Sequence, residues 1–337
     1  MKIFVTGATG VIGWELAKAL AAQQHEVIAY SRRIPENLRC SGVYWVKGEL
    51  SQQQRMAYHM QECQQVYHVA ALARLHAKDP AEFFTTNVQG TTNVLQAARD
   101  AGVNRVCFTS TCGILGPSNG KALSELDVHT GPFQSNYDLS KFIAEQKVLD
   151  YVMKGLDVVT VNVSRVFGPS QLRHSNAITR LMKNALAWPI MLIPGSRHII
   201  HNYGYIPDVV AGHINAMAFG TTGERYLLGG HNLSYQEIFE LISAIKGRNI
   251  QLLPLSKTVM KCFALLETAR AGIMGDAPAA KVVDIKRFAE SRPLDLSKAI
   301  SEIKYRITPI AEAIDETIQF LRQSDQYKNH QVLMAAT

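Results

Sequence analysis

Tyr137 and Lys141 stand four residues apart, and of the twelve tyrosines only Tyr137 has a lysine at that spacing. On a helix, an i, i+4 pair shares one face. An ammonium there favours the phenolate and lowers the phenol from its usual pKa of about 10. The phenol then donates or accepts a proton near neutral pH. Thr109-Ser110-Thr111 close an apolar run, and Thr111 lies 26 residues before Tyr137. A hydroxyl at that point can hold a substrate oxygen beside the phenol. The competing reading is a chance match of tyrosine and lysine.

Two further clusters point to a nucleotide. Thr6-Gly7-Ala8-Thr9-Gly10-Val11-Ile12-Gly13 follows the first apolar run. Glycines there let the backbone turn tightly, approach a pyrophosphate and pack a helix onto a strand. The spacing is G-x-x-G-x-x-G and not G-x-G-x-x-G. An ordinary glycine turn is the alternative. The second strand ends in Tyr30-Ser31-Arg32-Arg33, where NAD-binding sheets usually place an acid for the ribose 2′-hydroxyl. Guanidinium forks fit a 2′-phosphate instead, which predicts NADP(H). A solvated basic turn is the alternative there.

These residues need a scaffold that brings them together. Strand patterns cover 3–6, 26–30, 42–46, 65–70, 103–109 and 157–163. Helical patterns cover 11–23, 80–101 and 137–154. Such alternation predicts βαβ units and a doubly wound parallel α/β sheet. After Gly168-Pro169 the pattern loosens. Helices are expected over 176–186, 207–219 and 234–245, the last capped by Ser234, with a short strand over 225–228. The expected division is a nucleotide-binding domain over 1–168, to which 203–230 returns. A smaller substrate domain takes 169–202 and 231–325, and 326–337 is a flexible tail. The apolar stretch Ile190-Met191-Leu192-Ile193 points to a non-sugar substrate.

The motifs together resemble the extended short-chain dehydrogenase/reductases, from residue 1 to about 320. Besides the glycine loop, the matching pieces are His68-Val69-Ala70-Ala71 and Asn87-Val88-Gln89-Gly90-Thr91-Thr92-Asn93. Phe108 to Thr111 with Gly116, Ser164 to Pro169 and Gly223 to Gly230 also match. The nearest subgroup resembles dihydroflavonol reductases and 3β-hydroxysteroid dehydrogenases, including hopanoid-associated "epimerases". The resemblance implies that Tyr137 is the general acid in reduction. It implies that Lys141 holds the nicotinamide ribose and that Thr111 binds the substrate oxygen. Cofactor contacts would come from Gly7, Thr9, Gly10, Val11, Ile12, Gly13, Arg32, Arg33, Glu49, Leu50, Val69, Ala70, Ala71, Tyr137, Lys141 and Val166. Glu49 stands where the family usually has Asp, Asn162-Val163 replaces a common Arg-Pro, and Thr111 replaces Ser.

The expected activity is reduction of a ketone or aldehyde, or oxidation of a secondary alcohol. The alternatives are a nucleotide-sugar epimerase or dehydratase that retains its cofactor, and a non-catalytic cofactor-binding protein. Helices 80–101 and 137–154 resemble the family's four-helix dimer bundle, with Ala97, Ala98 and Ala101 allowing close approach. This predicts a homodimer. Cover of that face by the chain's own C-terminal helices is the alternative.

Composition narrows the classes. Of 337 residues, 47% are hydrophobic and 19% charged, which supports a packed core. The net charge is +7, yet the densest basic spot is Arg32-Arg33, too short for a nucleic-acid tract. No uncharged apolar run reaches the ~18 residues of a membrane span. Cys40, Cys63, Cys107, Cys112 and Cys262 have no metal-binding spacing, which points to a reducing cytoplasm and no metal. Gly116-Pro117-Ser118-Asn119-Gly120 mimics a hydrolase elbow, but Pro117 spoils the strand-to-helix turn it requires. His198 and His201 read as pocket rim or surface, His68 as a hydrogen-bonded core residue and Cys112 as a pocket wall.

Overall fold

The computed structural model describes residues 1–74, 76–170, 177–274 and 289–334, and the side chains among these except at 177 and 324–334. Strands β1 (Lys2–Thr6), β2 (Glu26–Ser31), β3 (Val43–Lys47), β4 (Gln65–His68), β5 (Arg105–Thr111) and β6 (Val158–Val163) form a parallel sheet. Between them run α1 (Val11–Ala22), α2 (Gln53–Met60), α3 (Ala81–Phe84), a π turn (Thr85–Gln89), α4 (Gly90–Asp100) and α5 (Asn136–Met153). Beyond β6 come β7 (Arg165–Phe167), α6 (Ala177–Ala187), β8 (Ile190–Pro194), β9 (Ile200–Tyr205), α7 (Ile206–Phe219) and β10 (Arg225–Leu228). The chain continues through β11 (His231–Ser234), α8 (Tyr235–Lys246), β12 (Gln251–Leu255), α9 (Lys257–Met274), α10 (Ser297–Glu302) and α11 (Ile310–Met334).

β10 closes the large sheet beside β6, which gives seven strands in the order β10-β6-β5-β4-β1-β2-β3. The order reverses at β1, so the loops after β1 and β4 diverge and leave a crevice at the strands' carboxyl ends. Successive side chains of β1 serve opposite layers. Ile3 and Val5 pack with Leu16, Leu20, Val209 and Met217 from α1 and α7. Phe4 packs with Met56, Met60, Val94, Leu95 and Val148 from α2, α4 and α5. A third core joins Phe167, Met182, Ile193, Tyr203, Phe239 and Ile314.

Helix α2 has no counterpart in the hydrophobic pattern, because it buries only Met56 and Met60 within a Gln-rich segment. The short strands β7, β9 and β11 form a separate three-stranded sheet, so 203–205 belong there and not in the large one. Ser234 caps α8 through a full capping box with Glu237. The expected flexible tail falls largely on α11, whose backbone is helical to Met334, and 335–337 lie outside the described residues.

Candidate active site

A cleft of about 830 Å³ crosses the carboxyl ends of β1, β2, β4, β5 and β6. Gly7, Thr9, Gly10, Val11, Ile12, Gly13, Arg32, Glu49, Leu50, Val69, Ala70, Ala71, Thr111, Tyr137 and Val166 all line it. Of the expected catalytic and cofactor-contact residues, two do not. Arg33 is exposed, and the Ser31 hydroxyl faces its carbonyl. Lys141 is buried behind the wall, where its ammonium donates to the Thr109 carbonyl at 2.8 Å and lies over the Phe108 ring.

The loop at one end requires glycine for steric reasons. Gly7 has φ +76°, and a Cβ there would fall 2.5 Å from the Ala70 nitrogen. A Cβ on Gly13 would fall 2.2 Å from the Gly7 carbonyl oxygen. Such a cradle of bare backbone at a helix start fits a pyrophosphate. Behind it, Thr6, His68 and Thr91 form a buried relay. The Ala70 N–H donates to the Thr6 hydroxyl, which contacts His68 Nδ1 at 2.7 Å. His68 Nε2 contacts the Thr91 hydroxyl at 3.0 Å, and that hydroxyl donates to the Asn87 carbonyl. Proton counting makes Nε2 the protonated nitrogen and Nδ1 the acceptor. Burial, aided by nearby Lys141, pushes His68 down to about 3, so the ring is neutral and structural.

The other end is set by α5. Ser135 caps the helix by accepting from the Asp138 N–H. Asp138 in turn packs on Gly113, where a Cβ would fall 2.1 Å from its Oδ1. This contact docks the helix start at the end of β5, so Tyr137 and Thr111 face one space. The Gly113 N–H donates to Thr111 Oγ1 at 3.1 Å. Asn87 reaches from the π turn to the Ser140 hydroxyl at 2.9 Å, and Ser140 donates to the Tyr137 carbonyl. Burial pushes Lys141 down to about 7 against the opposing pull of Glu145. An ammonium was expected beside the phenol, and its burial disfavours that charge near neutral pH.

Asn162 occupies the Arg-Pro position and is fully buried. Its amide donates to Glu145 at 2.7 Å and to the Thr111 carbonyl at 3.3 Å. The position thus supports β5 from below. Cys112 lines the cleft with its thiol donating to the Asn162 carbonyl, and burial pushes that thiol up, as suits a wall. Ser118 sits in a loop and donates to the Lys121 carbonyl, with no elbow around it.

Of the two expected places for His201, pocket rim or surface, the structure gives the pocket: it is 1% exposed and lines the cleft. Two expectations are corrected. The stretch 190–193 does not line the cleft; Met191 and Ile193 enter the third core, and Ile190 and Leu192 face solvent. It therefore says nothing of the substrate. Ala97 and Ala98 are fully buried in the monomer beside Met56 and Met60, so they cannot meet a partner helix. Arg165, Asn202 and Arg292 also line the cleft and were not selected from the sequence. They are brought there by the small sheet from segments up to 181 residues from Thr111, and no local spacing signals them.

The family model described as the NAD-dependent epimerase/dehydratase family matches residues 3–229. This chain belongs to that family. A protein named putative dihydroflavonol 4-reductase from Synechocystis sp. is 31% identical over 96% of both chains. One named 2-alkyl-3-oxoalkanoate reductase from Stenotrophomonas maltophilia is 28% identical over 79% of this chain and 82% of its own. The crystal structure of UDP-glucose 4-epimerase from Thermotoga maritima superposes with a TM-score of 0.79. It covers 96% of this chain and 99% of the other at 20% identity, a likeness of fold. The family member described here is an oxidoreductase of the pyridine-nucleotide type with an α/β Rossmann sheet. Among the described residues, no helix is long and apolar enough to cross a membrane.

Proposed function

We propose that the protein is an NADP(H)-dependent oxidoreductase that interconverts a ketone or aldehyde with its alcohol. The observation that carries this reading is the convergence of Thr111 and Tyr137 on the cleft that the glycine loop opens. A bound pyridine nucleotide supplies or accepts the hydride. The Gly7 and Gly13 cradle receives the pyrophosphate, and Glu49, Leu50 and Arg32 surround the adenosine end. Arg32 is the cation positioned for a 2′-phosphate, and Arg33 flanks it from outside. Thr111 orients the substrate oxygen. Tyr137 protonates that oxygen in reduction, and Lys141 biases its proton from behind the wall.

Residues 1–168 with 206–230 form the nucleotide-binding part, and the small sheet with the C-terminal helices covers the substrate. Both reductase relatives support carbonyl chemistry over epimerisation. A reductase consumes NADPH in proportion to product, whereas an epimerase shows no net turnover of it. Leu149 and Met153 of α5 are exposed apolar residues and support the expected homodimer. The five cysteines are all free, in keeping with a reducing, cytoplasmic setting.

The test is Tyr137→Phe. Nucleotide affinity should stay near wild type while turnover drops about 10²–10⁴-fold, the usual loss for a general acid. Wild-type turnover in that variant ends the proposal.

A further inference from the structure

One buried carboxylate has no part in the mechanism above. Glu145 stands one helical turn beyond Lys141 on α5, as Lys141 stands one turn beyond Tyr137. The spacing i, i+4, i+8 keeps phenol, ammonium and carboxylate on one face of the helix. Glu145 is 7% exposed and Lys141 1%. Lys141 reaches the Thr109 carbonyl on β5, and Glu145 accepts from the Asn162 amide on β6 at 2.7 Å.

The two groups have different surroundings. A second cavity, of about 420 Å³, is bordered by Glu145, by Thr160 of β6 and by Arg225 of β10. Lys141 borders neither this cavity nor the cleft. Arg225 brings its guanidinium to 3.7 Å from Glu145 Oε2, and its other donors go to the Glu125 and Asp127 carbonyls. The titratable groups that face Glu145 are therefore Lys141, Arg225 and the Cys112 thiol, which burial keeps protonated. Glu125 accepts from the Leu227 N–H, and Asp127, His129 and Glu224 stand elsewhere around the cavity. Lys141 faces Glu145, the neutral His68 of β4 and, one turn earlier, Tyr137. Burial pushes Glu145 up against the pull of Ser110, Arg225, Asn162 and Lys141. Glu145 in turn is the charge that opposes the loss of the Lys141 proton.

A neutral amide would accept the Asn162 hydrogen bond as well as a carboxylate does. Burying a carboxylate is costly unless its charge is answered. What the carboxylate adds here is charge, and one turn away along the helix stands a buried cation. We propose that Glu145 is a positioning residue for proton transfer: it supplies the counter-charge that keeps Lys141 protonated up to neutral pH, and through that ammonium it sets the acidity of Tyr137. Arg225, at the second cavity, helps to keep the carboxylate ionised. This deepens the oxidoreductase reading and rests on it. No bond to Glu145 forms or breaks. In reduction the nucleotide gives the hydride and Tyr137 the proton, and Glu145 decides how readily that proton leaves.

The variant to make is Glu145→Gln, which keeps the shape and the Asn162 bond and removes the charge. The first readout needs no turnover. In the cofactor-free protein, lysine labelled with ¹³C at Cε reports the Lys141 titration by NMR, assigned by the signal that Lys141→Met lacks. Its midpoint should move down by about 1–2 pH units, the usual effect of losing an opposite charge at close range. The second readout is the pH profile of carbonyl reduction by NADPH, with the best substrate from a panel of aldehydes and ketones. Turnover falls as pH rises through the Lys141 titration, so the alkaline limb of kcat should move down by the same amount. KM for NADPH should hold, because Glu145 does not line the cleft. Glu145→Asp should restore part of both shifts. If Glu145→Gln folds poorly, Arg225→Gln should move both midpoints the same way by less, because it lets the carboxylate take up a proton. A kcat lowered equally at every pH, with both midpoints in place, makes Glu145 merely structural and overturns the proposal. A titration that moves while the limb of kcat stays overturns the role in proton transfer and leaves the oxidoreductase reading intact. Reduction of none of the carbonyls by the wild type ends the oxidoreductase reading. The NMR midpoint then decides by itself whether Glu145 charges Lys141: a shift keeps that link, and no shift overturns it.

Discussion

His68 and His201 are both sealed from solvent, at 0% and 1% exposure, and they are built in opposite ways. His68 lies under the nucleotide cradle with a hydroxyl on each ring nitrogen. His201 lies under the substrate end with neither nitrogen partnered among the described residues. In the first region strand, relay and glycine loop satisfy one another through the hydrogen bonds of Thr6, His68, Ala70 and Thr91, so it is complete. The second region is incomplete among the described residues, with His201 and Arg292 Nε both unpartnered. Closed hydrogen bonding thus lies under the glycine loop, and open hydrogen-bonding capacity under the other end of the cleft.

The widest separation between the regions should appear in stability. His68→Phe removes two buried hydrogen bonds and strands the Thr6 hydroxyl proton, a loss of about 2–4 kcal/mol. His201→Phe discards two polar atoms that have no partner, so the cofactor-free protein should be unchanged or slightly more stable. Urea unfolding of both variants reads this directly, and an equal loss in the two would break the contrast. In acid the pair should behave alike, because burial depresses both imidazoles. His68 is held at about 3 against a usual 6.5, so the unfolded chain binds the extra proton between these values. Stability from this group is full above pH 6.5 and is lost as pH falls toward 3. His68→Phe should flatten that part of the acid-unfolding curve by about one proton.

A smaller effect tests whether the complete region also carries a charge meant for its ligand. Arg32→Ala should weaken NADPH binding by about 10–100-fold, the worth of one arginine–phosphate contact, and leave NADH binding nearly unchanged. Isothermal titration with both nucleotides decides it. Equal losses, or a wild type that binds NADH as tightly as NADPH, would remove the 2′-phosphate from the picture.

The subtlest effect concerns Lys141, between the two regions. Its folded pKa of about 7 lies below the usual 10.5, so the folded chain binds less proton than the unfolded one across that window. Stability should therefore climb from about pH 7 toward 10.5. Lys141→Met should flatten the climb, as measured by denaturation midpoints across that range. An unchanged slope would place the titration elsewhere.

The complete region is also the one legible in sequence. Gly7 to Gly13 follow a strand and start a helix, and their chemistry is local: a turn, a close approach and a helix terminus within seven residues. The Tyr137–Lys141 pair is one helical turn, so spacing alone put both on one face. Even here, tertiary burial decided that Lys141 lies behind the cleft wall and titrates near neutrality. Arg32 and Arg33 both follow the end of β2 and both are exposed, yet only Arg32 lines the cleft.

The sequence by itself determined the alternation of strands and helices, the glycine loop and the family, and it singled out Thr111, Tyr137 and Lys141 as candidates. Each depends on neighbours a few residues away, where chain geometry allows few outcomes. Only the tertiary structure decided that Arg165, His201 and Arg292 share a space. They come from segments 36 and 91 residues apart. Short strands of three to six residues bring them together, and hydrogen bonding between strands leaves no periodic trace in such short runs.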